Sequence, residues 1–364
     1  MKYVIFLGDG MADYPHEKLG GKTLLQAAHN PNMDRIAREG RTGLFRTLQD
    51  DLPTGSAVAN LSVMGYDPRE CFQGRGVLEA ASMGVDVPDS AIAMRCNLIC
   101  APDGIIKNHS AGHISSAESD ELLKTLSARI EQAGLSDKVA FHTGVSYRHL
   151  FIGHGMSPAV ECAPPHDHPG EKVADLLPKA KTSDAEPTAD LLCDIIRISE
   201  EVFANHPVNE KRKAAGKDPA TSVWLWSPGV RPNMWTYKER FGVSGAVISA
   251  VDLIFGIGVY AGLEKITVEG ATGLHDTNYE GKADACLDAL DRHDFVYLHV
   301  EAPDEAGHEG DLELKKKTIE DLDRRCIGRV LEGLERKGVE ATVAVLPDHP
   351  TPVSKRIHTR EPVP

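Results

Sequence analysis

Three short apolar runs constrain this chain more than any other feature: Tyr3-Val4-Ile5-Phe6-Leu7-Gly8, Phe295-Val296-Tyr297-Leu298-His299-Val300 and Ala341-Thr342-Val343-Ala344-Val345-Leu346, each followed closely by carboxylate or imidazole side chains. Runs of this length and β-branched content read as strands buried on both faces of a parallel sheet. Ligands of such sheets gather outside the carboxyl ends of the strands. Asp9, Asp304 with His308, and Asp348 with His349 are therefore expected along one edge. Asn30-Pro31 opens a stretch of helical spacing and Leu312 to Lys337 reads as a long charged amphipathic helix, so strand, loop and helix alternate as in α/β proteins.

The middle of the chain departs from that rhythm. Residues 113–270 carry a Pro- and His-rich loop from Cys162 to Pro169, polar helices and apolar segments of their own. At 364 residues the chain exceeds one comfortable core. The expected architecture is an α/β core sheet with helices on both faces, built from 1–112 plus 271–364, and a smaller inserted α/β domain, 113–270. The longest apolar stretch, Val243 to Leu263, is interrupted by Asp252 and four glycines and reads as a core helix running into a turn, not a membrane span. The N-terminal apolar run is too short for a secretory signal, and seven cysteines scattered without CxxC pairs suit reduced thiols, with Cys96 and Cys100 as packing residues, so a cytoplasmic protein is expected. A net charge of −14 argues against nucleic acid and anionic membranes as partners and leaves small anionic substrates, met by a local positive site. Glu361-Pro362-Val363-Pro364 follows a motif, not an element that would close a sheet, which leaves room for a segment beyond Pro364.

Four separated segments offer metal ligands: Asp9; Asp304 with His308 in Glu-Ala-Pro-Asp-Glu-Ala-Gly-His; Asp348-His349; and His358 in Ile-His-Thr-Arg. Any one of these alone is more often a cap or a surface histidine; their recurrence at strand ends points to metal. Three carboxylates and three imidazoles suit two ions, and the mixed oxygen and nitrogen set favours Mn²⁺ or Zn²⁺ over Mg²⁺ or Ca²⁺. Mn²⁺ is the expected ion, with Zn²⁺, Co²⁺ and Mg²⁺ as alternatives. Leu52-Pro53-Thr54-Gly55-Ser56 precedes a helix-like apolar pattern, so Ser56 falls at a helix N-terminus. It is either an ordinary capping serine or, beside divalent ions and where a helix N-terminus favours phosphate, a nucleophile. Arg75, Arg95, Arg148 and Lys282 could meet a phosphorylated acid, and Ser110-Ala111-Gly112-His113 and His166-Asp167-His168 could add donors.

With these motifs in place, the sequence resembles the cofactor-independent phosphoglycerate mutases of archaeal type, within the alkaline phosphatase superfamily. The resemblance runs through Gly-Asp-Gly-Met-Ala-Asp, Gly-Ser-Ala-Val-Ala-Asn-Leu-Ser-Val-Met-Gly-Tyr-Asp-Pro, Gly-Arg-Gly-Val-Leu-Glu-Ala, Ser-Ala-Gly-His, Pro-Asp-His-Pro-Thr-Pro and His-Thr-Arg-Glu-Pro-Val-Pro. It implies an alkaline-phosphatase-like core in which Asp304, His308 and His358 hold one metal while Asp9, Ser56, Asp348 and His349 hold the other. It implies transfer of the phosphoryl group of 3-phosphoglycerate to Ser56 and back to the 2-hydroxyl, with the inserted domain excluding water, and with Arg75, His113, Arg148 and Lys282 contacting substrate. A bacterial branch proposed to act as homoserine kinase, or a metal-dependent phosphatase, would share the same site. Members often place an acidic residue after the nucleophile, where this chain has Ala57.

Overall fold

The N-terminal apolar run forms β1 (Lys2–Gly8), the first of eleven strands in the computed structural model, which describes residues 1–364. The others are β2 (Ala91–Ile99), β3 (Val139–His142), β4 (Arg148–His154), β5 (Val160–Glu161), β6 (Lys179–Ala180), β7 (Ser222–Gly229), β8 (Gly245–Ile248), β9 (Glu264–Ile266), β10 (Phe295–Val300) and β11 (Ala341–Leu346). They divide between two compact units, one made of Met1–Phe72 with Asn233–Pro364 and the other of Gln73–Pro232.

The first unit is built on a five-stranded sheet of order β11-β1-β10-β8-β9, all neighbours parallel. Parallel strands need both faces covered. On one face Val4, Phe6, Val296, Leu298, Ala246 and Ile248 pack against Tyr279, Ala283, Leu287, Ile319, Leu322 and Val330. Those residues come from the helices Tyr279–Arg292, Leu312–Asp321 and Gly328–Lys337 and from the π-helical segment Leu322–Ile327 that joins the last two. The long amphipathic helix expected over 312–337 is present, with a π-helical segment, Leu322–Ile327, at its centre. Toward the other face lie the helices Ser56–Val63 and Asp252–Tyr260; the Tyr297 hydroxyl donates to Asn60 Oδ1 at 2.6 Å.

The second unit has a four-stranded antiparallel sheet of order β3-β4-β2-β7. Ile92, Met94, Cys96 and Leu98 alternate toward one face, where they meet Leu122, Leu126, Leu192 and Ile195 of the helices Ser116–Gln132 and Glu186–Phe203.

The expected boundaries at 112/113 and 270/271 therefore move. β2 belongs to the inserted unit's sheet, and β8 and β9 pair into the core sheet. The stretch 243–263 is not one helix but a strand, a bend and a helix, since a short fully buried strand and a helix segment have the same all-apolar pattern. No helix is long and apolar enough to cross a membrane.

Candidate active site

Register makes the site. Leu7 pairs with Leu346 and Gly8 with Val300, so β11, β1 and β10 end level, and the Asp9 amide extends the ladder by donating to the Val300 carbonyl at 2.9 Å. Asp348-His349, Asp9 and Glu301 leave the sheet side by side. Gly10 turns the chain at once with φ +57°, and a Cβ there would strike Asp304 Oδ1 and Thr351 Oγ1, so the site can close only around glycine.

Two groups of ligating atoms result. In the first, the helix Ala302–Glu309 carries Asp304 and His308 one turn apart. His308 Nε2 lies 3.1 Å from Asp304 Oδ2 and 2.9 Å from His358 Nε2, and His358 Nε2 lies 3.5 Å from Asp304 Oδ1. All three ligand atoms fall within 4.8 Å of one another. His308 Nδ1 faces the Arg356 carbonyl at 3.0 Å, which places its donor hydrogen there and leaves Nε2 for a ligand.

In the second group three oxygens surround one imidazole nitrogen. His349 Nε2 is 3.2 Å from Ser56 Oγ, 3.3 Å from Asp348 Oδ2 and 3.5 Å from Asp9 Oδ1. Ser56 is the first residue of the helix Ser56–Val63, with Gly55 at its N-cap. Asn60, one turn on, donates from Nδ2 to the Ser56 carbonyl and to Asp348 Oδ2, each at 2.9 Å, which ties the serine's helix to the strand-end carboxylate. Ala57 is buried, so the tether on Ser56 comes from Asn60 and not from its chain neighbour. Asp348 Oδ1 accepts from the amides of Gly10 at 3.0 Å and His349 at 2.9 Å. Thr351 joins the groups: its hydroxyl donates to Asp304, and its oxygen lies 3.2 Å from His349 Nδ1.

The charges are crowded. Burial, then the neighbouring Asp348, Glu301 and Asp304, push the Asp9 carboxyl well above the usual range. Burial, then Asp304 and Asp348, push Glu301 up to about 8. Asp304 goes the other way: burial alone would raise it, but hydrogen bonds from His308 and His358 hold it down. Its partner His308 is raised to about 9, chiefly by the Asp304 hydrogen bond, while burial keeps His349 below its ordinary value. Asp9 Oδ1 and Glu301 Oε2 are buried without a hydrogen-bond donor. Crowded carboxylates with orphaned oxygens beside imidazoles are the environment a divalent cation satisfies, so these residues fit metal.

Of the residues expected to face substrate, three lie in the inserted unit. Arg75 opens the helix Arg75–Ser82 with an exposed side chain, and Arg148 lies over the Tyr147 ring at 5.1 Å. Burial, and after it these two arginines, lower Arg95, whose guanidinium stacks 4.2 Å from the Trp226 ring. His113 is exposed and ends a left-handed run, Ala111, Gly112 and His113 at φ +46°, +62° and +51°. Lys282 is placed differently from expectation. It is wholly buried and its Nζ donates to the His299 carbonyl at 3.0 Å, so it braces β10 from within the core, and burial draws it down to about 8. The sequence reading missed Asn60, His299, Glu301 and Thr351. Asn60 and Thr351 carried a signal, one helical turn from Ser56 and two residues past His349; His299 looked like any strand residue.

Comparison with known proteins follows the same lines. Residues 37–209 match the family model of 2,3-bisphosphoglycerate-independent phosphoglycerate mutase, and residues 153–359 match that of type I phosphodiesterase / nucleotide pyrophosphatase. A 2,3-bisphosphoglycerate-independent phosphoglycerate mutase of Methanosarcina acetivorans is 51% identical over 100% of this chain and 89% of its own. A probable enzyme of the same name from Geobacter sulfurreducens is 50% identical, over 100% of this chain and 90% of its own. A solved protein of Pyrococcus horikoshii superposes with TM-score 0.80 at 29% identity, covering 100% of this chain and 86% of that one. The cofactor-independent phosphoglycerate mutase of Thermoplasma acidophilum, 24% identical, shares the fold with TM-score 0.66 over 100% of this chain and 88% of its own.

Proposed function

The chain belongs to the 2,3-bisphosphoglycerate-independent phosphoglycerate mutase family, and from that premise we propose that it interconverts 3-phosphoglycerate and 2-phosphoglycerate through a phosphoserine on Ser56, a step of glycolysis and gluconeogenesis. The observation that carries the reading is the convergence of Ser56 Oγ, Asp348 Oδ2 and Asp9 Oδ1 on His349 Nε2. Asp304, His308 and His358 would hold one divalent ion and Asp9, Ser56, Asp348 and His349 a second, Mn²⁺ being the ion proposed and Zn²⁺, Co²⁺ and Mg²⁺ the alternatives. When bound, such ions neutralise charge on attacking and leaving oxygens and lower the pKa of a coordinated hydroxyl.

The chain's own residues do the rest. Asn60 fixes the start of the helix that carries Ser56, and the free amides of that helix end favour an incoming phosphoryl group. Ser56 Oγ forms a bond to phosphorus as the bond from phosphorus to the 3-oxygen of the substrate breaks. The serine gives up its proton and the 3-oxygen takes one. The glycerate then turns, its 2-oxygen attacks the phosphoserine, and Ser56 recovers a proton, so no net proton, water or phosphate is consumed. The exposed cations of the inserted unit, Arg75, Arg148 and His113, suit the carboxylate and phosphate of such an acid. A small phosphorylated acid as substrate would suit a cytoplasmic enzyme.

The test offers the Mn²⁺-loaded protein 3-phosphoglycerate in an enolase-coupled assay, alongside a homoserine-plus-ATP assay and a phosphate-release assay. We expect mutase turnover that falls about 10⁴-fold or more in Ser56→Ala. Homoserine phosphorylation or phosphate release in place of mutase turnover would replace the substrate assignment, and full activity in Ser56→Ala would remove the phosphoserine.

A further inference from the structure

His299 sits next to last in β10, wholly buried, directly behind the metal-ligating edge. Its Nε2 lies 2.8 Å from Asp9 Oδ2 and 3.3 Å from Glu301 Oε2, and its Nδ1 lies 3.0 Å from Ser249 Oγ. The directions of these hydrogen bonds follow from the carboxylates: an ionised carboxylate oxygen only accepts, so the ring hydrogen stands on Nε2 and is donated to Asp9 Oδ2. Nδ1 is then the acceptor for the Ser249 hydroxyl, whose oxygen in turn accepts from the Val251 amide at 3.1 Å. Lys282 Nζ, on the His299 carbonyl, holds the strand that carries the ring.

The consequence falls on Asp9. One of its oxygens, Oδ2, is taken by His299, while Oδ1 accepts no hydrogen bond and lies 3.5 Å from His349 Nε2. A carboxylate that could rotate would offer either oxygen, or both, to a cation. We propose that His299 is a positioning residue: through the chain Ser249, His299, Asp9 it occupies Oδ2 and presents Oδ1 as the single ligating oxygen to the ion shared with Ser56, Asp348 and His349. The inference rests on Asp9 being a metal ligand. The arrangement mirrors the common one in which a carboxylate orients a ligating histidine, where loss of the outer partner weakens metal affinity by about 10- to 100-fold. The same three side chains, Asp9, His299 and Glu301, could alternatively surround an ion of their own, with His299 Nε2 as ligand instead of donor. The charge balance argues against it. Two divalent ions would match the four carboxylates of Asp9, Glu301, Asp304 and Asp348 and leave no negative charge for a third.

The experiment counts and titrates Mn²⁺ by electron paramagnetic resonance on the full-length, metal-stripped protein, which reads the site whichever phosphorylated acid it turns over. The wild type is expected to bind two ions. His299→Phe, which keeps a flat ring but removes the donor, should weaken one of them by about 10- to 100-fold and leave the other unchanged. His299→Gln, whose amide can donate to Asp9, should restore most of that loss. Ser249→Ala, which leaves every ligating side chain in place, should show an intermediate loss at the same ion, and it keeps the test readable if His299→Phe does not fold. Two unaltered ions in His299→Phe or in Ser249→Ala would overturn the proposal, as would three ions in the wild type falling to two in His299→Phe. Asp9→Ala separates the premise from the inference: if it retains both ions at wild-type affinity, the ligand role of Asp9 fails on its own account.

Discussion

Asp9, Asp348 and His349 are closed off from solvent entirely, whereas the His308 and His358 side chains of the neighbouring group are 36% and 21% exposed. The closed group grows from strand ends held by ladder hydrogen bonds, and each Asp348 oxygen is already bonded to the chain. The open group comes from a helix and from a C-terminal segment, Pro352 to Pro364, that has no regular secondary structure. The difference shows in where each stores a proton when it lacks a cation. Beside the closed group, burial and the neighbouring carboxylates raise Asp9 and Glu301; the open group keeps Asp304 ionised and loads the proton onto His308. The same task, gathering ligands, is thus done by a rigid acidic pocket and by a more accessible ion pair.

The strongest way to break this contrast is to remove one ligand from each group. Asp348→Asn should lower kcat/KM on the order of 10³-fold, the equivalent of several kcal/mol of charge stabilisation, and added Mn²⁺ should not restore it, because the pocket cannot rearrange. His358→Asn should lose less and recover as Mn²⁺ is raised, since solvent can complete the open group. Equal loss and equal deafness to Mn²⁺ in both variants would show that burial does not separate the groups. A smaller effect should come from Thr351→Val, which keeps the shape but removes the hydroxyl shared by Asp304 and His349. We expect metal affinity to fall by about 10- to 100-fold at both ions together, with about 1–3 kcal/mol of stability lost in chemical denaturation of the metal-free protein. Loss at one ion alone would mean that Thr351 serves a single group.

The closed group was legible in the sequence because strand ends announce themselves. An apolar run that stops at Asp9 or at Asp348-His349 fixes both the element and the edge on which its ligands stand. The i,i+4 spacing of Asp304 and His308 was legible for a similar reason. His358 was found only by its residue type, and its place beside His308 depends on a segment whose path no periodicity predicts. The misplaced boundaries trace to β8, four apolar residues beside an apolar helix, and to β2, whose antiparallel partners β4 and β7 lie far along the chain. Lys282 misled for a further reason: a lysine in a polar-looking Gly-Lys pair reads as exposed, and only the packing of its helix against β10 shows that its amine is spent on a main-chain carbonyl.

The pH dependence of the metal-free protein sharpens the contrast most finely. His308, raised to about 9 from 6.5, contributes stability that is fully present below 6.5 and is lost as pH rises through about 9. Glu301, raised to about 8 from 4.5, binds more protons folded than unfolded between those values, so stability also falls across that interval as pH rises. The two groups therefore slope the same way, and the stripped protein should melt lower at pH 8.5 than at pH 6, by about 2–4 °C for each kcal/mol involved. Divalent ions bind the deprotonated forms, so the gap in melting temperature between loaded and stripped protein should widen over the same range, and loading near neutral pH should release protons. Calorimetric titration of Mn²⁺ in two buffers of different ionisation enthalpy counts them. His308→Gln should remove the share of that release belonging to the open group and leave the share held by the buried carboxyls. A gap that stays constant from pH 6 to 8.5, with the same heat in both buffers, would mean that neither group stores a proton in the absence of metal.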